Sequence, residues 1–271
     1  MTSAPALDRI AFISDVHGNL TALEAVLEDI DHRGISRVFN LGDYVGKGPR
    51  GREVVELCQE RCEVNLLGNW DDFLPDPDRE FDSEALQFWL AQLGPGQGEW
   101  LRGLPFNHDF WLSGRRVRLF HASEETVHRR VRYVRTQAEF EGLFTHTDAT
   151  GTGPVPDLVG YADTHDPLYE CQLEGRTSFN TGSVGNCMGD PTPMYCILEG
   201  ELGSEQPAPW SVSFARVPYD VDAELAVARE MGVPHYEGYE LELRHGIYRG
   251  VLDEWRSGAP MTGYHERGAG A

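Results

Sequence analysis

Metal-binding residue types recur in this sequence, each directly after a short hydrophobic run. These residues are Asp15, His17, Asp43, Asn69, His121, Asp163 and His165. The runs before them have the length and composition of buried strands, and an α/β sheet gathers the residues at the carboxyl ends of its strands into one site. Nitrogen and oxygen ligands without thiolate suit manganese, iron or zinc, and several carboxylates suit a pair of ions. The pattern therefore predicts a metal centre assembled from distant parts of the chain.

The order of these motifs resembles that of the calcineurin-like metallophosphoesterases, whose signature is D-x-H, G-D, G-N-H-D/E, a lone histidine and then G-H-x-H. The match runs from Arg9 to about Gly200, and residues 180–185 are similar to the N-x-G-S-x-G turn of the small bacterial and archaeal phosphodiesterase-type members. Motifs that are weak alone become specific when they occur together and in order. The resemblance implies an α/β fold, a four-layer αββα sandwich of two mixed β-sheets flanked by helices.

For the site, the resemblance implies two divalent metal ions, manganese first, with iron, zinc or magnesium as alternatives. A hydroxide bridging the ions would attack phosphorus. The ligands would be Asp15, His17 and His165 for the first ion, Asn69 and His121 for the second, and Asp43 for both. The catalytic residues would be Asp43, Asn69, Trp70 and Asp71. The predicted enzyme is a dinuclear metal-dependent phosphoric ester hydrolase.

One departure from the family pattern concerns a metal ligand. The sequence Ala-Asp-Thr-His at 162–165 stands where the family has G-H-x-H. Asp163 can ligate a hard ion, and this would favour Mn²⁺ or Mg²⁺ over softer ions. In the alternative, Asp163 points away and the second ion binds weakly. His146 is a less favoured substitute ligand.

The other departure replaces a histidine that, in the family, is oriented by the following acid and protonates the leaving oxygen. Here Trp70 precedes Asp71. The indole N–H can donate a hydrogen bond, but it cannot act as an acid near neutral pH. The loss of this acid should slow hydrolysis least for substrates with good leaving groups, such as aryl phosphodiesters or pyrophosphate linkages. Trp70 could instead stack on a base or narrow the pocket.

Four arginines follow His121 closely and form a local basic cluster in an acidic chain. They are Arg129, Arg130, Arg132 and Arg135. Guanidinium groups suit phosphate oxygens, so the cluster predicts substrate binding. The alternative is that these arginines neutralise neighbouring carboxylates. His128, in the same stretch, is a candidate replacement proton donor.

Composition restricts the partners of the protein. The chain has 271 residues and a formal net charge of −21. Such a charge repels duplex nucleic acid and anionic membranes, so we expect a small phosphorylated, nucleotide-like substrate and allow for a homo-oligomer. The sequence shows neither a signal peptide nor an apolar span, and its five cysteines include no C-x-x-C pair. These features predict reduced thiols and a cytoplasmic location.

Hydrophobic periodicity predicts the elements that position the motifs. Strands are predicted at 9–14, 36–41, 63–67, 107–112, 116–121, 168–173, 177–180, 194–198 and 211–217. Helices are predicted at 52–62, 82–93 and 99–104, and Thr21 and Glu24 have the spacing of a capping box that opens a further helix. Residues 1–220 would form the metallophosphoesterase domain. Residues 221–256 would form a helical appendage, a lid or a packing element, and 257–271 a disordered tail.

The function predicted first is a phosphodiesterase or a nucleotide pyrophosphohydrolase. A Ser/Thr-type or diadenosine-tetraphosphatase-like phosphatase is the alternative among enzymes. A non-catalytic protein of the same fold that binds metal or nucleotide is the alternative outside them. The two departures favour this last alternative, whereas the joint presence of the other ligands favours an enzyme.

Overall fold

The computed structural model describes residues 7–259. Its strands are β1 (Asp8–Ile13), β2 (Arg37–Asn40), β3 (Val64–Asn65), β4 (Asn107–Leu112), β5 (Arg115–Phe120), β6 (Leu158–Tyr161), β7 (Pro167–Cys171), β8 (Thr177–Thr181), β9 (Met194–Gly200) and β10 (Ser211–Arg216). Its α-helices are α1 (Leu20–His32), α2 (Gly51–Arg61), α3 (Asn69–Phe73), α4 (Glu84–Ala91), α5 (Gln97–Arg102), α6 (Gln137–Gly142), α7 (Val221–Glu230), α8 (Tyr236–His245) and α9 (Leu252–Ser257). Short 3₁₀ turns cover Leu173–Gly175 and Arg249–Val251. Within this part of the chain, no helix is both long enough and apolar enough to span a bilayer.

The strands form two mixed sheets. The first has the order β10-β9-β1-β2-β3, in which β1, β2 and β3 are parallel and β9 and β10 are antiparallel to their neighbours. The second has the order β4-β5-β6-β8-β7, with β5, β6 and β8 parallel. Because β1, β2, β5 and β6 end at predicted ligands, this topology determines where those ligands lie.

Side-chain alternation along β1 explains how the layers pack. Ile10 and Phe12 lie in the cluster between the two sheets, where the Phe12 ring stacks on Phe179 at 5.7 Å. The intervening Ala11 and Ile13 lie in the cluster that contains the buried face of α1. Alternate residues of a strand point to opposite faces, so this short apolar run is buried on both sides. Helix α6 covers the outer face of the second sheet. The predicted αββα sandwich is thereby confirmed.

Several predicted boundaries differ from the observed ones. Helix α1 is capped by Asn19, whose side chain accepts a hydrogen bond from the Ala22 N–H, and Thr21 instead donates to Glu224. The predicted capping box is therefore wrong, because the helix begins one residue before Thr21. The strand predicted at 63–67 is shorter in the structure, where β3 comprises only Val64–Asn65. The strand predicted at 168–173 corresponds to β7, which ends at Cys171.

The C-terminal helices pack against the sandwich. The Gly-Val-Pro segment at 232–234 lies between α7 and α8, and α9 follows. Glu224 of α7 is fully buried and accepts from Arg50 and from the Tyr239 hydroxyl. Residues 260–271, most of the predicted disordered tail, lie outside the described residues.

Candidate functional site

The predicted ligands come from the carboxyl ends of five strands and meet at one edge of the sandwich. Asp15 and His17 follow β1, Asp43 follows β2, Asn69 opens α3 just after β3, His121 follows β5, and Asp163 and His165 follow β6. All seven side chains are buried, with exposures of 0–9%. Residues separated by as many as 150 positions thus share one water-poor site.

The backbone at this site is unusual. Five of the seven residues have left-handed φ angles between 49° and 63°, namely Asp15, His17, Asp43, Asp163 and His165. Such a conformation costs of order 1–3 kcal/mol for a residue other than glycine, and it persists only where the surrounding structure imposes it. Here the Asp15 N–H donates to the Gly42 carbonyl and the His17 N–H donates to the Asp43 carbonyl. The two loops therefore hold each other in place.

Backbone carbonyls determine how the three histidines face the site. The Nδ1 atom of His17 donates to the Val45 carbonyl at 3.0 Å, that of His121 to the Leu41 carbonyl at 2.8 Å, and that of His165 to the Asn186 carbonyl at 2.5 Å. A carbonyl oxygen only accepts, so Nδ1 carries the proton and Nε2 is left to point inward. Metal-ligating histidines are oriented in this way.

Side-chain atoms of Asp15, His17 and His165 face one another closely at the first group of inward atoms. Burial lowers the pKa of His17 well below its ordinary value, so its Nε2 presents a lone pair, 3.3 Å from His165 Nε2. The Oδ1 atom of Asp15 lies 3.2 Å from the same His165 nitrogen and has no hydrogen-bond partner among the described residues. Facing acceptors at such distances are favourable only around a cation. The residues therefore fit a divalent metal ion.

Asp43 lies between the two halves of the site. Its Oδ2 is 3.5 Å from His17 Nε2 and its Oδ1 is 3.5 Å from His121 Nε2. Ligand atoms within 4.8 Å of one another form two groups, Asp15 with His17 and His165, and Asp15 with Asp43 and His121. The Asn69 side-chain oxygen lies 3.2 Å from His121 Nε2, and a rotated Asn69 amide would instead donate to Asp43 at 3.0 and 3.2 Å.

The pKa values of Asp43 and His121 reflect an excess of carboxylates. Burial, with Asp15 and Asp163 nearby, raises the pKa of Asp43 to about 7. Burial lowers the pKa of His121, but the charges of Asp43, Asp15 and Asp163 outweigh it and raise that pKa to about 9. In the absence of an ion the carboxylates thus hold a proton on His121. A divalent cation would displace it.

Asp71 holds the loop that carries Asp43. Its carboxylate accepts from the backbone N–H groups of Asp43 at 2.6 Å, Tyr44 at 3.0 Å and Gly68 at 3.0 Å. Burial and the charge of Asp43 raise the pKa of Asp71 to about 8. A Cβ at Gly68 would collide with the Asp43 backbone nitrogen and carboxylate. The structure therefore makes Asp71 a support for Asp43.

Trp70 forms part of an aromatic wall beside the ligands. Its ring meets His17 edge-on at 5.7 Å and Trp89 edge-on at 5.5 Å, and it packs on Phe73 at 5.0 Å. Its backbone N–H donates to Asp43 Oδ1 at 2.9 Å. The indole fills the place of a proton donor with apolar surface.

A cavity of about 210 Å³ opens from the ligands. Asp43, Asp163 and His165 line its floor, and Trp70, Leu86, Trp89 and Met188 line an apolar wall. The remaining side includes Lys47, Arg130, His235, Tyr248 and Arg249. The cavity thus combines a floor of candidate metal ligands, an apolar wall and cationic side chains.

Lys47 was not predicted as a site residue. It is the only lysine of the sequence and lies four residues after Asp43, and that rarity was the available signal. Its ammonium donates to the Asn186 side chain at 3.0 Å, and burial lowers its pKa to about 8.

Arg249 and Glu242, which lie far from the other site residues in sequence, were also not predicted as site residues. Glu242 accepts from Arg249 and from Asn186.

The four arginines after His121 do not converge. Arg129 pairs with Glu124 and Glu125, Arg135 binds Tyr161 and Glu170, and the Arg132 carbonyl accepts from Arg135. Of the four, Arg130 lines the cavity, and its guanidinium binds both oxygens of Asp163 at 2.7 Å. Arg129 and Arg135 thus neutralise neighbouring carboxylates, which is the alternative considered from the sequence.

Two further histidines considered from the sequence lie apart from the ligand groups. His128 Nε2 contacts Asp72 at 2.7 Å, and both side chains are more than 40% exposed. The ligand groups found among the described residues include neither His146 nor Asp163.

The sequence and fold of this chain are similar to those of known phosphoesterases. Residues 8–191 match the family model described as calcineurin-like phosphoesterase. An uncharacterized protein of Methanocaldococcus jannaschii is 27% identical over 247 residues, which cover 86% of this chain and 97% of that protein. The crystal structure of a metallophosphoesterase from Sphaerobacter thermophilus is similar with a TM-score of 0.69 at 27% identity, covering 89% and 99% of the two chains. A hypothetical protein from Pyrococcus horikoshii has the same fold, with a TM-score of 0.68 at 18% identity and the same coverage.

Proposed function

The chain belongs to the calcineurin-like phosphoesterase family, and we propose that it is a metal-dependent hydrolase of small phosphodiesters. The observation that carries this proposal is the set of inward-facing acceptors. His17 Nε2, His165 Nε2 and Asp15 Oδ1 face one another within 3.9 Å at the floor of the cavity.

The proposed ions are divalent, with manganese before iron, zinc or magnesium. Asp15, His17 and His165 would hold the first, and Asp43, Asn69 and His121 the second. When bound, such ions supply a water activated for attack and neutralise phosphoryl oxygens. The chain itself directs the histidine Nε2 atoms into the site through the carbonyls that bind Nδ1 behind them. It also holds Asp43 in place through Asp71.

Cationic side chains of the cavity would bind the phosphoryl oxygens that the ions leave free. Lys47 is the best placed, because it is partly buried beside the ligands and its ammonium donates to a neutral partner, Asn186. Arg249 lines the same side, but its guanidinium is already bound to Glu242.

The apolar wall favours a diester with a good leaving group. Trp70 supplies no proton to a leaving oxygen, so a leaving group that departs as a stable anion reacts best. The wall of Trp70, Leu86, Trp89 and Met188 can receive the apolar or aromatic part of such an ester. A nucleotide-like physiological substrate and a cytoplasmic location stay predictions.

The test compares bis-p-nitrophenyl phosphate with p-nitrophenyl phosphate, using full-length protein stripped of metal and then supplied with Mn²⁺. We expect turnover that needs the metal, prefers the diester and disappears in Asp43→Asn. Faster hydrolysis of the monoester would favour the phosphatase alternative. No turnover of either ester with any divalent ion would contradict the proposal and favour the non-catalytic binding protein.

Lys47→Met provides a second arm of this test. Loss of a charged hydrogen bond worth about 1.5–3 kcal/mol should raise KM for the diester roughly 10- to 100-fold. Arg52→Met removes an exposed cation that pairs with Glu56 and should leave KM unchanged.

A further inference from the structure

The ion pair between Arg130 and Asp163 lies against the second group of ligands. Asp163 Oδ1 is 3.9 Å from His121 Nε2, and the Asp163 backbone N–H donates to Asp15 Oδ2 at 3.3 Å. Asp163 is therefore close enough to complete the coordination of an ion held by Asp43 and His121.

Arg130 occupies the oxygens that such coordination needs. Its Nη2 donates to Asp163 Oδ1 at 2.7 Å and its Nε donates to Oδ2 at 2.7 Å. The carboxylate is 4% exposed and the arginine side chain 19% exposed, so water screens the attraction between the two charges only in part. A bidentate guanidinium reduces the charge that Asp163 can offer to a metal and places a fixed positive charge beside it.

Among the described residues, no arginine or lysine forms an ion pair with the carboxylate of the first group of ligands, Asp15. Asp15 Oδ1 lacks a hydrogen-bond partner among the described residues, and His17 and His165 present Nε2 to it. The two groups therefore differ in how freely their ligands can respond to an ion.

We propose that the Arg130–Asp163 pair makes the two metal positions unequal, so that the protein binds one divalent ion tightly and a second only weakly. The tight ion lies among Asp15, His17 and His165. Arg130 withholds Asp163 from the weak position and stays in the cavity as a fixed cation. This inference rests on the proposed metal-dependent function.

The experiment is calorimetric titration of metal-free, full-length protein with MnCl₂. For the wild type we expect one tight equivalent and a second that binds at least tenfold more weakly. Arg130→Met frees Asp163 and should tighten the second equivalent about 10- to 100-fold, the usual size of effects from residues behind a metal ligand. Low-temperature electron paramagnetic resonance gives an independent readout. At one equivalent of Mn²⁺ the wild type should show an isolated ion, and at two equivalents the Arg130→Met variant should show a spin-coupled pair.

Matched variants separate the role of Asp163 from a general change in charge. Asp163→Asn should keep the single tight equivalent, and the double variant Arg130→Met/Asp163→Asn should lose the gain seen in Arg130→Met. Arg129→Met removes a neighbouring arginine that pairs with Glu124 and Glu125, and should bind Mn²⁺ like the wild type. If Arg130→Met is too unstable to purify, Arg130→Gln replaces it, with the same expectation.

The outcomes distinguish this inference from the proposed function. Two equivalents of equal affinity in the wild type, or a gain that persists in the double variant, would overturn the inference and leave the proposed function standing. An absence of Mn²⁺ binding in every variant would overturn both.

Discussion

Each histidine of the site combines an inward Nε2 with a carbonyl that fixes its Nδ1. This arrangement prepares the nitrogens for a metal before any ion arrives. The cost is visible in the left-handed backbone at Asp15, His17, Asp43, Asp163 and His165. At the scale of single residues, the backbone of the site therefore adopts an unfavourable conformation that the hydrogen bonds of neighbouring loops maintain.

Trp70 gives the prediction that belongs to this scale. Trp70→His would place an imidazole beside His17 and could restore a proton donor to the leaving oxygen. General acid assistance is typically worth about a hundredfold to ten-thousandfold. We therefore expect a rise in kcat toward the lower end of this range for alkyl phosphodiesters, and little change for bis-p-nitrophenyl phosphate.

The measurement is kcat for a series of diesters whose leaving groups differ in pKa. Trp70→Phe, which keeps the ring but adds no acid, serves as the control. An unchanged dependence on the leaving group in Trp70→His would refute the argument that Trp70 replaces an acid.

At the scale of elements, a buried ion pair joins the hairpin that leads to His121. Arg118 of β5 is 1% exposed and binds Asp109 of β4 through Nε and Nη2, while its Nη1 donates to the Thr145 carbonyl. Burial raises the pKa of Asp109, but Arg118 more than offsets this and holds the pKa below its ordinary value of 3.8.

Asp109→Asn should therefore be strongly destabilising, because it leaves a buried guanidinium without its counter-charge. We expect a loss of about 3–5 kcal/mol in the free energy of unfolding, measured by urea denaturation at pH 7. The folded pKa of Asp109 is depressed, so its contribution is complete above the unfolded value of 3.8 and is lost as the pH falls through the folded value. The difference between variant and wild type should therefore shrink below about pH 4.

Glu56→Gln is the matched control, since Glu56 forms an exposed pair with Arg52 on α2. Its effect should stay within about 1 kcal/mol. Equal effects of the two substitutions would show that the hairpin does not depend on the Asp109–Arg118 pair.

At the scale of the whole molecule, the C-terminal helices complete the site from outside the part of the chain that matches the family model. That match ends at residue 191, whereas Glu242 of α8 and Arg249 lie beyond it. Glu242 accepts from the Asn186 side chain at 2.9 Å. Asn186 in turn accepts from His165 through its carbonyl and from Lys47 through its side chain. A helix predicted as an appendage, a lid or a packing element is thus linked to His165, a proposed metal ligand, through one intermediate residue, Asn186.

Glu242→Gln should weaken both the fold and the site. It leaves the partly buried Arg249 without its counter-charge, at a cost of about 3 kcal/mol. It also loosens Asn186, the residue that orients His165. We expect Mn²⁺ affinity to fall roughly 10- to 100-fold, measured by titration calorimetry. Glu240→Gln, on the exposed face of the same helix beside Arg244, should change neither quantity appreciably. A stability loss without any change in Mn²⁺ affinity would show that Glu242 supports only the packing.

Much of the architecture follows from local pattern. The apolar run 10–13 is a buried strand because its residues alternate between two apolar layers, and the residues after it lie at a sheet edge. The ordered motifs after such runs carried the resemblance to the family, and that resemblance implied the αββα sandwich; both are confirmed. Helix caps and the ends of short strands were predicted less well. A single hydrogen bond can set where a helix begins, as the bond from the Ala22 N–H to the Asn19 side chain does for α1.

The identity and order of the ligand residues are properties of the sequence, because each follows a strand that local hydrophobicity specifies. The partners of those ligands are not. Three contacts join segments that are remote in sequence: the pairing of Asp163 with Arg130, the hydrogen bond from Lys47 to Asn186, and the link from Glu242 through Asn186 to His165. Such contacts arise only when the two sheets and the C-terminal helices pack together. Tertiary structure alone therefore decided which charges face the site.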